Sequence, residues 1–198
     1  PELERKRRDG ALSPAEKLER QRARNAALEG PRALEAAREV ALRLLDSRSR
    51  STGELRRAIT QKGFSEEIAD EVLDRLARVG LVDDEAFARA LVADRFRGSG
   101  KAGRALVEEM RRKGLDDASI DEALGGIDEE ELRARARELV DRRLRTMGDA
   151  PRDTAYRRLA GMLARKGYAP SLAAGVIAEA LARRESIRLG TEVPEVGL

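Results

Sequence analysis

The amino-acid sequence predicts an all-α protein built from three tandem three-helix repeats. Three observations lead there. First, one phrase occurs three times: Leu55…Ile59…Lys62-Gly63-Phe64, Leu106…Met110…Lys113-Gly114-Leu115 and Leu159…Leu163…Lys166-Gly167-Tyr168. Each copy sets two apolar residues four apart, then Lys-Gly-apolar at the same offset. The Lys-Gly pairs lie 51 and 53 residues apart, a period that marks repeat proteins whose units stack on their neighbours. Second, Leu73, Leu124 and Ile177 stand nine residues beyond the apolar residue of each turn. Third, aromatics make up only 3% of the chain and Trp is absent, while hydrophobic residues reach 41%. Such a chain builds its core from Leu, Ile, Val and Ala on helices, where a large β-sandwich would want more aromatic and β-branched residues. The third copy is a few residues longer ahead of its Lys-Gly helix.

Residues 1–32 read as a basic N-terminal extension, partly disordered or helical, with Arg5-Lys6-Arg7-Arg8 near its start. Ser13-Pro14-Ala15-Glu16 has the form of a capping box with Pro at the first helical position. It opens a helix over about 14–28 whose apolar face is weak. The extension is either a solvated tail or an arm that contacts nucleic acid or a partner. Repeat 1 spans 33–80. Pro31 opens a helix with Val40, Ala41, Leu44 and Leu45 inward. Ser51-Thr52-Gly53-Glu54 is a second capping box, starting a helix that Gly63 stops. Ser65 caps a third helix with Ile68, Val72, Leu73 and Leu76 inward, ended by Gly80.

Repeat 2 spans 81–127. Asp83 caps a helix carrying Phe87, Ala88, Leu91 and Val92, which Gly98-Ser99-Gly100 is expected to break. The Lys113-Gly114 helix follows, then a short one with Ile120, Ala123 and Leu124 inward. Repeat 3 spans 128–187: a long helix from Asp128 with Leu132, Ala136, Leu139, Val140 and Leu144 inward, a helix from Pro151 to Lys166, and a last one from Pro170. Residues 188–198 read as a loose C-terminal tail.

The residue inventory excludes several kinds of chemistry. Without Cys there is no disulfide and no thiolate; without His, Ser-His-Asp and Cys-His catalysis and zinc sites of the usual type are excluded. No apolar run approaches the roughly 18 residues that span a bilayer, and the N-terminus lacks the apolar core of a signal peptide. A soluble, cytoplasmic protein with no membrane partner is expected. Asp83-Asp84-Glu85 reads as a helix cap followed by first-turn acids, not a metal site. The stretch Arg95-Phe96-Arg97-Gly98-Ser99-Gly100-Lys101-Ala102-Gly103-Arg104 has an outward likeness to a phosphate loop. It fails the pattern at Ala102, where Ser or Thr belongs, and at Arg95, where Gly belongs, and a helix precedes it instead of a strand. No nucleophile, metal or cofactor constellation remains, so a non-enzyme with no cofactor is expected.

Charge is where function enters. The net charge is +3, and residues 1–34 hold nine Lys/Arg against six Asp/Glu, leaving thirty-one of each beyond. Any basic surface there comes from segregation. The middle helices carry Arg56, Arg57 and Lys62; Arg104, Arg111, Arg112 and Lys113; and Arg157, Arg158, Arg165 and Lys166. The helices after the first two begin with acids: Glu66, Glu67 and Asp70, then Asp116, Asp117, Asp121 and Glu122. The helix dipole favours acids at N-termini but does not require basic residues along a middle helix. These residues form either a basic ridge for a partner or solvated faces with local ion pairs. Arg95, Arg97, Lys101 and Arg104 add a flexible cationic loop suited to phosphates or acidic side chains. In the repeated phrase, Gly supplies a left-handed helix stop, the next residue an apolar clasp, and Lys a complement to the dipole.

Ala41…Leu44-Leu45…Arg50-Ser51…Glu54-Leu55-Arg56…Lys62-Gly63-Phe64 resembles the opening pattern of the RecX family of recombinase regulators. Gly80-Leu81-Val82-Asp83-Asp84-Glu85-Ala86-Phe87-Ala88 resembles that family's most distinctive stretch. Arg111-Arg112-Lys113-Gly114-Leu115 and Ala164-Arg165-Lys166-Gly167-Tyr168 resemble its later repeats, so the likeness covers about residues 36–185. It implies an elongated, curved arrangement of the three units. It also implies a regulator of homologous recombination, acting in DNA repair and the SOS response. Such a protein lies in the groove of the RecA filament on single-stranded DNA and inhibits ATP hydrolysis and strand exchange. The partners so implied are the RecA filament, single-stranded DNA and, for some members, double-stranded DNA; a monomer is expected. The long basic extension departs from the family, as does Tyr168 where Phe is common. Two other readings stand beside this one. One is a helical-repeat DNA-binding protein acting without RecA, although no helix concentrates Arg, Asn and Gln as a base-reading surface would. The other is a scaffold for a different acidic partner.

Overall fold

The computed structural model describes residues 13–190; the Arg5–Arg8 cluster and the tail beyond Gly190 lie outside them. The described residues form ten α-helices and one π-helical turn, with no strand. The helices are α1 (Pro14–Ala26), α2 (Gly30–Leu45), α3 (Thr52–Gln61), α4 (Glu66–Arg78), α5 (Asp84–Ala93), α6 (Gly103–Lys113), α7 (Asp117–Gly125), α8 (Glu129–Arg145), α9 (Arg152–Lys166) and α10 (Pro170–Leu189). The π-helical turn, Asp94–Ser99, continues α5. Gly98 and Ser99 therefore lie inside helical structure, and Gly100, at φ 69°, ends it. α10 runs to Leu189, two residues into the stretch expected to be tail.

The helix starts follow the side chains in the sequence. Ser13 and Ser51 each accept from the third helical N–H while Glu16 and Glu54 reach back, two complete capping boxes. Ser65, Asp83, Asp116 and Asp128 each accept a backbone N–H three residues on, at 3.3, 2.8, 2.7 and 2.7 Å.

The chain divides into two compact units. The first comprises the described residues up to Phe87 together with Lys113–Leu115, and the second holds Ala88–Arg112 and the residues from Asp116 onward. In the first, α2, α3 and α4 pack on one another around Leu55, Ile59, Phe64, Val72, Leu73 and Leu76. The buried edge of α2 is Ala33, Ala37 and Ala41; of the expected stripe, Ala41 is buried and Val40, Leu44 and Leu45 are half-buried. Small residues four apart present a flat ridge that lets neighbouring helices approach closely. In the second unit α8, α9 and α10 enclose Leu139, Val140, Leu159, Leu163, Val176, Ile177 and Leu181, with Phe96 of the π-helical turn in the same cluster. The six helix residues of the repeated phrase, Leu55, Ile59, Leu106, Met110, Leu159 and Leu163, are all 0% exposed. Phe64, Leu115 and Tyr168 are buried as the clasp reading requires.

Each Lys-Gly turn also makes a contact that a helix stop alone does not need. In the second unit the Lys166 carbonyl accepts the Ala102 N–H at 2.8 Å. A Cβ on Gly167 would sit 2.2 Å from the Ala102 carbonyl oxygen. In the first unit the Lys113 carbonyl accepts the Ser51 hydroxyl at 2.6 Å, and a Cβ on Gly114 would sit 2.8 Å from the Gly53 Cα. The Lys62 carbonyl accepts the Asn25 Nδ2 at 2.7 Å, and a Cβ on Gly63 would fall 2.4 Å from the Arg22 carbonyl oxygen. Three times, a carbonyl beside a side-chain-free residue receives one donor and a bare backbone. Glycine serves here both for its left-handed φ and for the close approach.

Candidate functional site

Among the expected partner-binding residues, lysine is the only basic residue placed identically in all three copies, and two of the three lysines are spoken for. Lys113 donates to Glu54 at 3.1 Å and lies 5.5 Å above the centre of the Phe87 ring. Glu54 is at the same time paired with Arg48 at 3.0 Å. Burial alone would raise the Glu54 carboxyl, but hydrogen bonds from Arg48 and Lys113 outweigh it and hold the group down at about 2. Lys166 donates to the Ser99 carbonyl. Its own pKa is lowered by burial and by the neighbouring charges of Arg135, Lys101 and Arg142. Lys62 is exposed.

The 95–104 segment is held by its surroundings. Glu109, almost buried on α6, accepts from Arg95 at 2.7 Å and Lys101 at 2.5 Å. Burial opposes the charged form of Glu109, yet the hydrogen bonds from Lys101 and Arg95 prevail and keep its carboxyl below the ordinary range. The last carbonyls of the π-helical turn would have no partner within the helix. Arg135 of α8 donates to those of Phe96 at 3.1 Å, Arg97, and Gly98 at 3.3 Å, and Lys166 takes that of Ser99. The stretch thus presents carbonyls to cations, the reverse of a phosphate loop, which presents N–H groups to anions. Arg95 and Lys101 serve the internal clamp, while Arg97 and Arg104 remain exposed, Arg104 alongside Glu108 at 2.8 Å.

The remaining candidates lie on the surface. Arg56 pairs with Asp70 at 2.7 Å and Arg111 with Asp117 at 2.9 Å, both half-open to solvent. Such pairs contribute little to stability. Arg57, Arg112, Arg157, Arg158 and Arg165 are exposed. Register sorts them further. Counting back from the repeated Lys, Arg112 and Arg165 are one residue before it, and Arg104 and Arg157 nine before it. In the first copy those positions are Gln61 and Gly53. The positions that recur therefore lie on α6 and α9 of the second unit, a pair of arginines eight apart on each helix. That spacing keeps both on one stripe.

Three residues that the sequence did not single out organise these surfaces: Glu109, Arg135 and Asn25. Glu109 had a visible signal, an acid wedged beside Met110 on an apolar face. Arg135 and Asn25 had none, because their partners are backbone carbonyls 37 or more residues away. Among the described residues no cluster of three acidic, His or Cys side chains is placed to hold a metal, and no helix is long and apolar enough to cross a membrane.

Family models match at three places, described as the first, second and third three-helix domains of RecX, over residues 37–76, 83–124 and 129–177. The chain belongs to the RecX family. Regulatory protein RecX of Streptomyces coelicolor is 46% identical over 148 residues, covering 75% of this chain and 79% of the relative. The RecX proteins of Mycolicibacterium vanbaalenii and Mycobacterium bovis are 46% and 48% identical over 160 residues, covering 78% of this chain and 87% and 92% of those proteins. The crystal structure of RecX from Lactobacillus salivarius aligns with a TM-score of 0.67 at 18% identity, over 74% of this chain and 95% of that one. A second crystal structure of regulatory protein RecX aligns with a TM-score of 0.62 at 21% identity, over 82% of this chain and 76% of that one. These structural likenesses concern the fold. RecX membership agrees with the resemblance carried by the Gly80–Ala88 stretch and the Lys-Gly turns, and it makes this chain a regulatory protein.

Proposed function

We propose that this RecX-family chain regulates homologous recombination by binding the RecA filament on single-stranded DNA along its groove, inhibiting ATP hydrolysis and strand exchange. The observation that carries the reading is the match to all three RecX domains in order. A series of similar units suits a partner that is itself a repeat, since individually weak contacts sum through effective concentration. Arg104 and Arg112 on α6, with Arg157 and Arg165 on α9, are the proposed contacts, meeting acidic side chains or DNA phosphates. Arg56, Arg57, Lys62, Arg97, Arg111 and Arg158 are secondary. Lys113, Lys166, Arg95 and Lys101 hold the fold and are weak choices for mutation.

The test is a titration of RecA's DNA-dependent ATPase with the chain. Inhibition at or below stoichiometric amounts is expected. The double variant R112E/R165E should weaken inhibition while keeping its helical circular dichroism. Unchanged ATPase across the titration with folded protein would overturn the proposal, and full inhibition by the double variant would remove these arginines from it. Tight, steeply salt-dependent DNA binding with no effect on RecA would favour the DNA-binding alternative.

A further inference from the structure

The three Lys-Gly turns dock alike, but not on alike elements. The second turn receives the start of α3, with the Ser51 hydroxyl on the Lys113 carbonyl and Gly53 against Gly114. The third receives the start of α6, with the Ala102 N–H on the Lys166 carbonyl and Gly103 against the Gly167 carbonyl oxygen at 2.7 Å from an added Cβ. In each case the guest is the beginning of the middle helix one repeat earlier. The first turn lies in the domain matched as the first of the three. Its guest is α1, which brings the Asn25 amide to the Lys62 carbonyl and the Arg22 backbone to Gly63.

Asn25 is the only buried residue of α1. Its amide is oriented from behind, because its own oxygen accepts from Gln21 Nε2 at 2.9 Å. The rest of the helix is exposed, Leu18 included, as expected of a terminal element that faces water. The other end of the series is closed differently. The start of α9, Pro151-Arg152-Asp153, has no glycine to admit a further turn. Instead the end of α10 lies over it: Arg184 donates to the Gly148 carbonyl and, at 3.4 Å, to that of Ala150, Arg152 pairs with Glu185, and Arg188 with Asp149 at 2.8 Å.

From this we infer that the first Lys-Gly turn is a docking socket for a helical segment and that α1 is its resident occupant, a cap in the place that a preceding middle helix takes at the other two turns. The socket's chemistry is one carbonyl acceptor beside a side-chain-free glycine. It fits a segment that brings an amide, hydroxyl or N–H donor next to bare backbone.

Hydrogen exchange by mass spectrometry on the full chain tests this with three variants. N25D sets a carboxylate against the Lys62 carbonyl, and G63A builds a Cβ into the Arg22 backbone. G80A is the control, since Gly80 shares the positive φ (72°) but has nothing within 4 Å of an added Cβ. N25D and G63A should each speed exchange over residues 14–26 by about tenfold or more, the scale of a lost buried hydrogen bond. α8–α10 should be unaffected, and G80A should leave α1 protected. Native-like protection of α1 in N25D would overturn the inference. So would free exchange of α1 in the unaltered chain, or equal loss of α1 protection in G80A and G63A.

Discussion

Gly167 offers the sharpest test of why glycine recurs in the repeated phrase. It ends α9 at φ 92°, and an added Cβ would stand 2.2 Å from the Ala102 carbonyl oxygen and 2.5 Å from the Ala105 nitrogen. Both are backbone atoms, which cannot swing aside. Gly148, in the same unit, has φ 52° and open space around its Cβ position. Substitution by Ala costs each site the left-handed backbone penalty, about 1–2 kcal/mol. Only at Gly167 does overpacking add about 1–3 kcal/mol, and the Ala102 N–H to Lys166 carbonyl bond must lengthen, a further cost of about 1 kcal/mol. G148A should therefore lose about 1–2 kcal/mol and G167A about 3–6 kcal/mol. Asn tolerates the left-handed region, so G167N should recover part of the backbone cost but none of the clash. Urea denaturation followed by circular dichroism, with hydrogen exchange to localise the change to the second unit, measures all three. Equal losses in G148A and G167A would refute the close-approach argument and leave glycine as a helix stop only.

The acid limb of stability should depend on Glu54. Its folded carboxyl, at about 2, lies below the ordinary 4.5, so its contribution is complete above pH 4.5 and is lost as pH falls towards 2. The shift corresponds to at most about 3 kcal/mol, reduced by the solvent around half-exposed Arg48. E54Q should flatten that limb in a pH series of denaturation curves, and an unchanged limb would count against the Arg48–Glu54–Lys113 cluster. E109Q leaves Arg95 and Lys101 without their carboxylate and should cost about 1–3 kcal/mol; a neutral result would mean the clamp is dispensable. The Tyr168 hydroxyl, buried without a hydrogen-bond partner among the described residues, is pushed up to about 12 by burial. Y168F should accordingly be neutral or stabilising by up to about 1 kcal/mol, whereas a loss above about 1 kcal/mol would show that the hydroxyl is satisfied.

What the sequence disclosed and what it hid divide along a physical line. Helix starts were legible because a capping side chain sits within three residues of the N–H it accepts, as at Ser51 and Asp128. The core phrase was legible because four-residue spacing alone decides which side chains share a face, and Leu55 through Leu163 obey it. The π-helical turn was not. Gly98-Ser99-Gly100 looks like a break, and only Arg135 and Lys166, from distant helices, make its continuation affordable by satisfying its carbonyls. The basic ridge was half legible. Sequence located the charge on the middle helices, but the identical Lys in each copy, one of the expected ridge residues, is drawn into structural contacts at Lys113 and Lys166. Local sequence cannot reveal which cation will find an internal acceptor.

The donors at the three turns differ in how inheritance can change them. Asn25 and Ser51 each supply a side-chain donor, and a single codon change removes it. At Ala102 the donor is the peptide N–H itself, which every residue except proline carries. The contact on Lys166 is thus written into the chain's connectivity, not into its alphabet. Across relatives, position 102 should drift among small residues without loss of docking, while positions 25 and 51 should change only in step with whatever replaces their hydrogen bond.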